Sequence, residues 1–240
     1  MLKNAVKKMN IAELRASVKT KRKDALHRLV DYLAYYPAWL LLKTPLTVTH
    51  ITLLWIVGQI FAALLVSLGN DSLMIVGVAL FQLLFILDCA DSIVGRYRKQ
   101  FSLNTVYLDY VGHYIANPLL LVCYGIGVAR MQGDIRFVFV GGVAALAFLL
   151  NKAVTLNPGW YAEDKHKLIL DVMKKSSLQA QDSFLYTLFS LFRIEYLFNI
   201  FFFGTLLGYA HATIVIYAVV YCGEALRKII AQLMANLERR

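Results

Sequence analysis

From Tyr196 to Gly223 the chain runs for 28 residues without an Asp, Glu, Lys or Arg, and Val48 to Leu68 forms another such stretch. A helix needs about 20 apolar residues to cross a hydrocarbon core of roughly 30 Å, so stretches like these point to an all-α fold that spans a membrane. Composition agrees, with 59% hydrophobic and 17% charged residues against about 45–50% and 25% in soluble domains. The net charge of +10 suits an anionic surface, and in so apolar a chain that surface is anionic membrane lipid and not nucleic acid. The three cysteines, Cys89, Cys123 and Cys222, are too few for a disulfide framework or a zinc cluster and read as small buried hydrophobes.

Further spans follow from the same measure. Ser72 to Leu87 ends at Asp88, so its helix is expected to run on into the interface. Tyr110 to Ala129 contains Asn117-Pro118, where the missing amide is expected to kink the helix. Phe137 to Asn151 is lengthened if Lys152 snorkels. The long run from Tyr196 is split near Tyr209 to Ala212, with Glu195 and Glu224 at the cytoplasmic ends of the fifth and sixth spans. Six spans with both termini inside leave only Arg130 and Arg136 of the 25 Lys/Arg on the far side, as the positive-inside rule requires. Asn157 to Leu191 then forms a cytoplasmic connection with a short amphipathic helix around Lys165 to Lys175. The expected location is a bacterial inner membrane, with a homodimer left open.

The N-terminal basic segment is taken as 1–44, and its residues 1–24 are dense in Lys and Arg with no apolar block of the length a signal core needs. Asn10 with Glu13 makes a capping box, after which Ile11, Leu14, Val18, Leu29, Tyr32 and Tyr36 would share one narrow helical face. This reads as an amphipathic helix on the membrane surface, with Lys19, Lys21, Arg22 and Lys23 facing anionic headgroups. Residues 45–240 then form the six-helix membrane domain.

Ionisable side chains at membrane depth are costly and usually functional. One cluster stands out, DCADSIVGRYRK at 88–99 followed by TVYLDYVGH at 105–113. Asp88 and Asp91 lie one turn apart, with Ser92 and Gly95 beside them and Arg96 at the border. Thr105, Asp109, Gly112 and His113 share a face of the next helix. Three carboxylates that close need positive charge among them, and an oxygen ligand set favours Mg²⁺ or Mn²⁺. A hard cation beside an Arg is suited to a diphosphate. Lys152 and Arg193, near the ends of later spans, are weaker candidates for an acceptor phosphate or a lipid headgroup. His27, His50, His166 and His211 lack such company and read as interfacial or packing residues.

These residues resemble the CDP-alcohol phosphotransferase family, whose pattern is D-x2-D-G-x2-A-R-x8-G-x3-D-x3-D. Asp88, Asp91, Ser92, Gly95, Arg96, Thr105, Asp109 and His113 occupy its positions with every spacing kept. Pro45 and Thr49 echo a second family element, P-N-x-[hydrophobic]-T, with Leu46 in place of the Asn. The resemblance implies six membrane helices after a surface helix, and displacement of CMP from a CDP-alcohol by an acceptor alcohol or lipid. It also implies one or two Mg²⁺ or Mn²⁺ ions on Asp88, Asp91 and Asp109, with Asp91 best placed to touch more than one. Arg96 would contact the diphosphate, and Thr49, Ser92, Gly95 and Thr105 would lie beside the donor. His113 stands where the family has its fourth Asp, the residue taken as the general base on the acceptor hydroxyl, and a neutral imidazole is expected to take that catalytic role here. Two alternatives are a catalytically silent scaffold of the same fold and a cation transporter; the latter predicts acidic residues deep in several spans, whereas here they cluster at one end.

Overall fold

The computed structural model describes residues 10–18, 25–100, 103–156, 192–194 and 199–237, and among them all regular structure is helical. In chain order the helices are α1 (Ile11–Ser17), α2 (Ala25–Leu42), α3 (Val48–Val66), α4 (Asp71–Arg98), α5 (Leu103–Gln132), α6 (Arg136–Leu156), α7 (Ile200–Leu206) and α8 (Ala210–Leu237). Four of them, α3 to α6, are long and apolar enough to cross a membrane. The expected helix around Lys165 to Lys175, Glu195 and the basic run at 19–23 lie outside the described residues.

Local signals set most boundaries. Asn10 and Glu13 form the expected capping box of α1. Thr47 caps α3, and His50 completes that box by accepting from the Thr47 backbone, so His50 is a capping residue. With 28 residues, α4 is about 42 Å long at the usual helical rise. It therefore overruns a hydrocarbon core and carries residues 88–98 to one end, as the sequence suggested. The long uncharged run breaks at 207–209, where Gly208 adopts φ +78, within a residue or two of the expected split. α5 continues through Pro118 as one helix.

The N-terminal segment departs from the expected single stripe. Val18 leaves helical geometry at φ −125, and α2 buries Val30, Ala34, Tyr35, Ala38, Leu41 and Leu42 while Leu29, Tyr32 and Tyr36 stay exposed. The periodicity was drawn through a helix that does not continue, so the faces fall out of phase. Arg15 instead sits over the Tyr32 ring at 3.8 Å from its centroid. The buried face of α2 packs on α4 in one cluster with Val48, Ile51, Phe85, Cys89, Ile93 and Val94. Arg98 ties the same parts together, donating to the carbonyls of Leu41, Leu42, Thr44 and Leu46. The Leu41 and Leu42 carbonyls belong to the last turn of α2, where they have no i+4 partner within the helix.

α3 packs against both α4 and α5, while α4 and α5 themselves touch sparingly. α5 packs on α6, and α6 on α8. Close approach of α5 and α6 depends on Gly125 and Gly141, since a Cβ on Gly125 would lie 2.5 Å from the Phe137 carbonyl and 2.9 Å from the Gly141 Cα. Small residues at such crossings let backbones meet where lipid supplies no hydrophobic drive.

The second core surrounds Tyr124, Phe201 and Tyr217, and its polar atoms are paired. Tyr124 and Thr205 share a 2.7 Å hydroxyl contact, and the Tyr217 hydroxyl accepts from Phe201 N. Gln82 of α4 donates to Asn199 at 3.1 Å, and Asn199 in turn donates to the carbonyls of Arg193 and Ile194. The short 192–194 segment is thereby fixed beside α8. At the other end of the helices, Arg136 donates to Asp134 in the α5–α6 loop, which holds that carboxyl below the usual carboxylate range.

Candidate metal centre

Asp88 reaches the site from α4, and Asp109 and His113 from successive turns of α5. The His113 Nε2 lies 3.4 Å from Asp88 Oδ2 and 3.8 Å from Asp109 Oδ1. One ligand atom from each of the three falls within 4.8 Å of the others, a group able to hold a metal ion. The sequence placed the carboxylates and the imidazole on facing helices, and the structure brings these three together. The ligand set is not oxygen alone, because an imidazole nitrogen belongs to it.

Asp91 is engaged differently. It is buried on α4, and its Oδ2 accepts from Thr52 Oγ1 at 2.9 Å and Trp55 Nε1 at 3.0 Å, both on α3. Its Oδ2 is thus committed to two donors, and Asp88 is the α4 member of the three-residue group. The same Trp55 packs on His113 with ring centroids 5.0 Å apart and planes 34° from parallel. Helical periodicity carries no sign of Thr52 or Trp55 as partners; only the packing of α3 between α4 and α5 reveals them.

A cavity of about 470 Å³ opens beside the group. Asp88, Ser92, Asp109 and His113 of α4 and α5 line it, and so do Asn151 and Lys152 of α6, Arg193, and Tyr221, Glu224 and Lys228 of α8, a wall that carries three cations and one carboxylate. Lys152 and Arg193 are thus brought to the site from far along the chain. Lys228, which the sequence did not single out, joins them and pairs with Glu224 at 3.1 Å; its i,i+4 spacing from Glu224 was the available signal. Tyr221 braces this wall, because its hydroxyl accepts from Ile194 N and its carbonyl accepts from the Asn151 amide.

The other expected donor-side residues lie apart from the cavity lining. Gly95 is buried in α4 and Arg96 is exposed one residue further on. The hydroxyls of Thr49 and Thr105 meet at 3.1 Å between α3 and α5. In comparisons with known proteins, no family model and no curated protein matches this chain.

Proposed function

We propose that the chain is a membrane-embedded phosphotransferase of the CDP-alcohol kind, which moves a substituted phosphate from a CDP-alcohol to an acceptor alcohol and releases CMP. The observation that carries this reading is one cavity lined both by a carboxylate–imidazole group and by Lys152, Arg193 and Lys228. The resemblance of residues 88–113 supplies the reaction class.

Asp88, Asp109 and His113 would hold a divalent ion, Mg²⁺ or Mn²⁺, and Asp91 would offer it the oxygen not taken by Thr52 and Trp55. When bound, such an ion neutralises charge on transferring phosphoryl oxygens. The donor's nucleotide side would lie along Ser92, Gly95, Thr49 and Thr105, small enough to admit it, with Arg96 at the diphosphate. The acceptor oxygen attacks the phosphorus that bears the donor's alcohol, and the bond to the CMP phosphate oxygen breaks. Lys152, Arg193 and Lys228 would hold a phosphate or headgroup on the acceptor side. The acceptor's proton would pass to the Asp109 carboxylate, whose side chain is 37% exposed against 11% for Asp88. His113 directs Nε2 at the two carboxylates, so we assign it to the ion and not to the proton.

Purified protein in detergent should release CMP from a CDP-alcohol such as CDP-diacylglycerol when given Mn²⁺ and a mixture of small alcohol acceptors. The release should stop in excess EDTA; release undiminished by EDTA, or none with any acceptor, would refute the reading.

Six spans with both termini and the cavity end in the cytoplasm fit the charge distribution best. In intact cells, with the native cysteines replaced, a membrane-impermeant thiol reagent should label Asn70→Cys and Gln132→Cys and spare Gln100→Cys. The opposite pattern would invert the topology.

A further inference from the structure

We propose that His113 is a metal ligand through Nε2, and that this nitrogen makes the site select a first-row transition ion, with Mn²⁺ as the working probe, over Mg²⁺. The inference rests on the functional reading above and sharpens it, since that reading leaves the two ions equal.

Three observations converge. Two ligands held at about 2.1 Å from one ion sit roughly 3.0–3.4 Å apart in octahedral or tetrahedral geometry. The His113 Nε2 to Asp88 Oδ2 separation of 3.4 Å matches, and the 3.8 Å to Asp109 Oδ1 is a few tenths beyond. All three ligand atoms lie within 4.8 Å of one another. Second, the imidazole is held in orientation: Trp55 packs on its ring, and Trp55 is itself fixed by donating Nε1 to the buried Asp91. Supports of this type, one layer behind the ligands, are how proteins set ligand direction. Third, the rest of the group is carboxylate oxygen, so a single nitrogen changes the character of the set. Mg²⁺ demands oxygen ligands and near-ideal octahedral geometry, whereas imidazole is a good ligand for first-row transition ions. A mixed set therefore loses affinity for Mg²⁺ and keeps it for Mn²⁺.

The test is direct ion binding, independent of turnover. Full-length protein in detergent is titrated with Mn²⁺ while free Mn²⁺ is followed by electron paramagnetic resonance, with Mg²⁺ as competitor. Pulsed measurement on the loaded protein reports any ¹⁴N nucleus bound to the ion. The wild type should show nitrogen coupling and hold Mn²⁺ against a large excess of Mg²⁺. His113→Asp, which makes the set all oxygen, should lose the coupling and narrow the Mn²⁺/Mg²⁺ ratio by about 10-fold or more, since even partners behind the ligands shift metal affinity on that scale. His113→Gln serves the same purpose if the Asp variant fails to fold. Absence of nitrogen coupling in the Mn²⁺-loaded wild type, coupling that persists in the variants, or no Mn²⁺ binding at all overturns the proposal. Metal-dependent CMP release without nitrogen coupling would remove this inference and leave the functional reading standing; nitrogen coupling in a protein that consumes no CDP-alcohol would do the reverse.

Discussion

Asp88→Asn is expected to lower Mn²⁺-dependent CMP release by roughly 10³-fold, with little loss of stability. Asp88 is the one member of the group that comes from α4, with its Oδ2 3.4 Å from the His113 Nε2 and its side chain lining the cavity. Removing its charge withdraws the ligand that joins α4 to the α5 pair, and an ion's charge stabilisation is worth several kcal/mol in the transition state, where about 4 kcal/mol equals 10³ in rate. The asparagine is nearly isosteric, so the helices should pack as before. Rates are compared at saturating Mn²⁺, with thermal unfolding in detergent as the control for folding. Turnover within 10-fold of wild type would place the ion elsewhere.

The elements of the site were legible because local rules fix them. The spacing of Asp88 and Asp91, and of Asp109 and His113, is a helical turn or so, and neither pair needs tertiary knowledge to be set on a face. The overrun of α4 beyond an apolar core followed from counting, as did the break before Ala210. What failed was continuity and partnership. The stripe through Ile11 to Tyr36 assumed one helix, and a single residue outside helical geometry, Val18, resets the phase of everything after it.

Partnership was invisible for a different reason. In a membrane chain nearly every face is apolar, so hydrophobic pattern does not say which helix lies against which. The two carboxylate helices follow one another in the chain, yet they touch sparingly while α3 packs against both and supplies Thr52 and Trp55. The cationic wall forms because α6 packs on α8 and Asn199 fixes residues 193–194, and charge spacing does not encode contacts between residues some 70 positions apart.

Replacing Asp91 separates its two roles, and the two substitutions should differ in stability while agreeing in activity. Asp91→Asn keeps one oxygen, which the amide would turn toward Thr52 Oγ1 and Trp55 Nε1 because both are donors. That leaves the amide nitrogen, itself a donor, where the carboxylate's second oxygen would meet an ion. The protein should fold with near-native stability and lose metal-dependent CMP release. Asp91→Ala removes both functions: Trp55 Nε1, buried between α3 and α4, loses its acceptor, while Thr52 Oγ1 can still donate to the Val48 carbonyl, so a loss of about 1–3 kcal/mol is expected together with the loss of turnover. Trp55 also loses the bond that fixes it against His113, so the Ala variant should bind Mn²⁺ more weakly than the Asn variant. Unfolding in graded denaturing detergent and the Mn²⁺ titration measure the two effects separately. Equal stability of the two variants would mean that the Thr52 and Trp55 bonds do not anchor α3; full turnover in the Asn variant would mean that Asp91 is an anchor alone and that the ion rests on Asp88, Asp109 and His113.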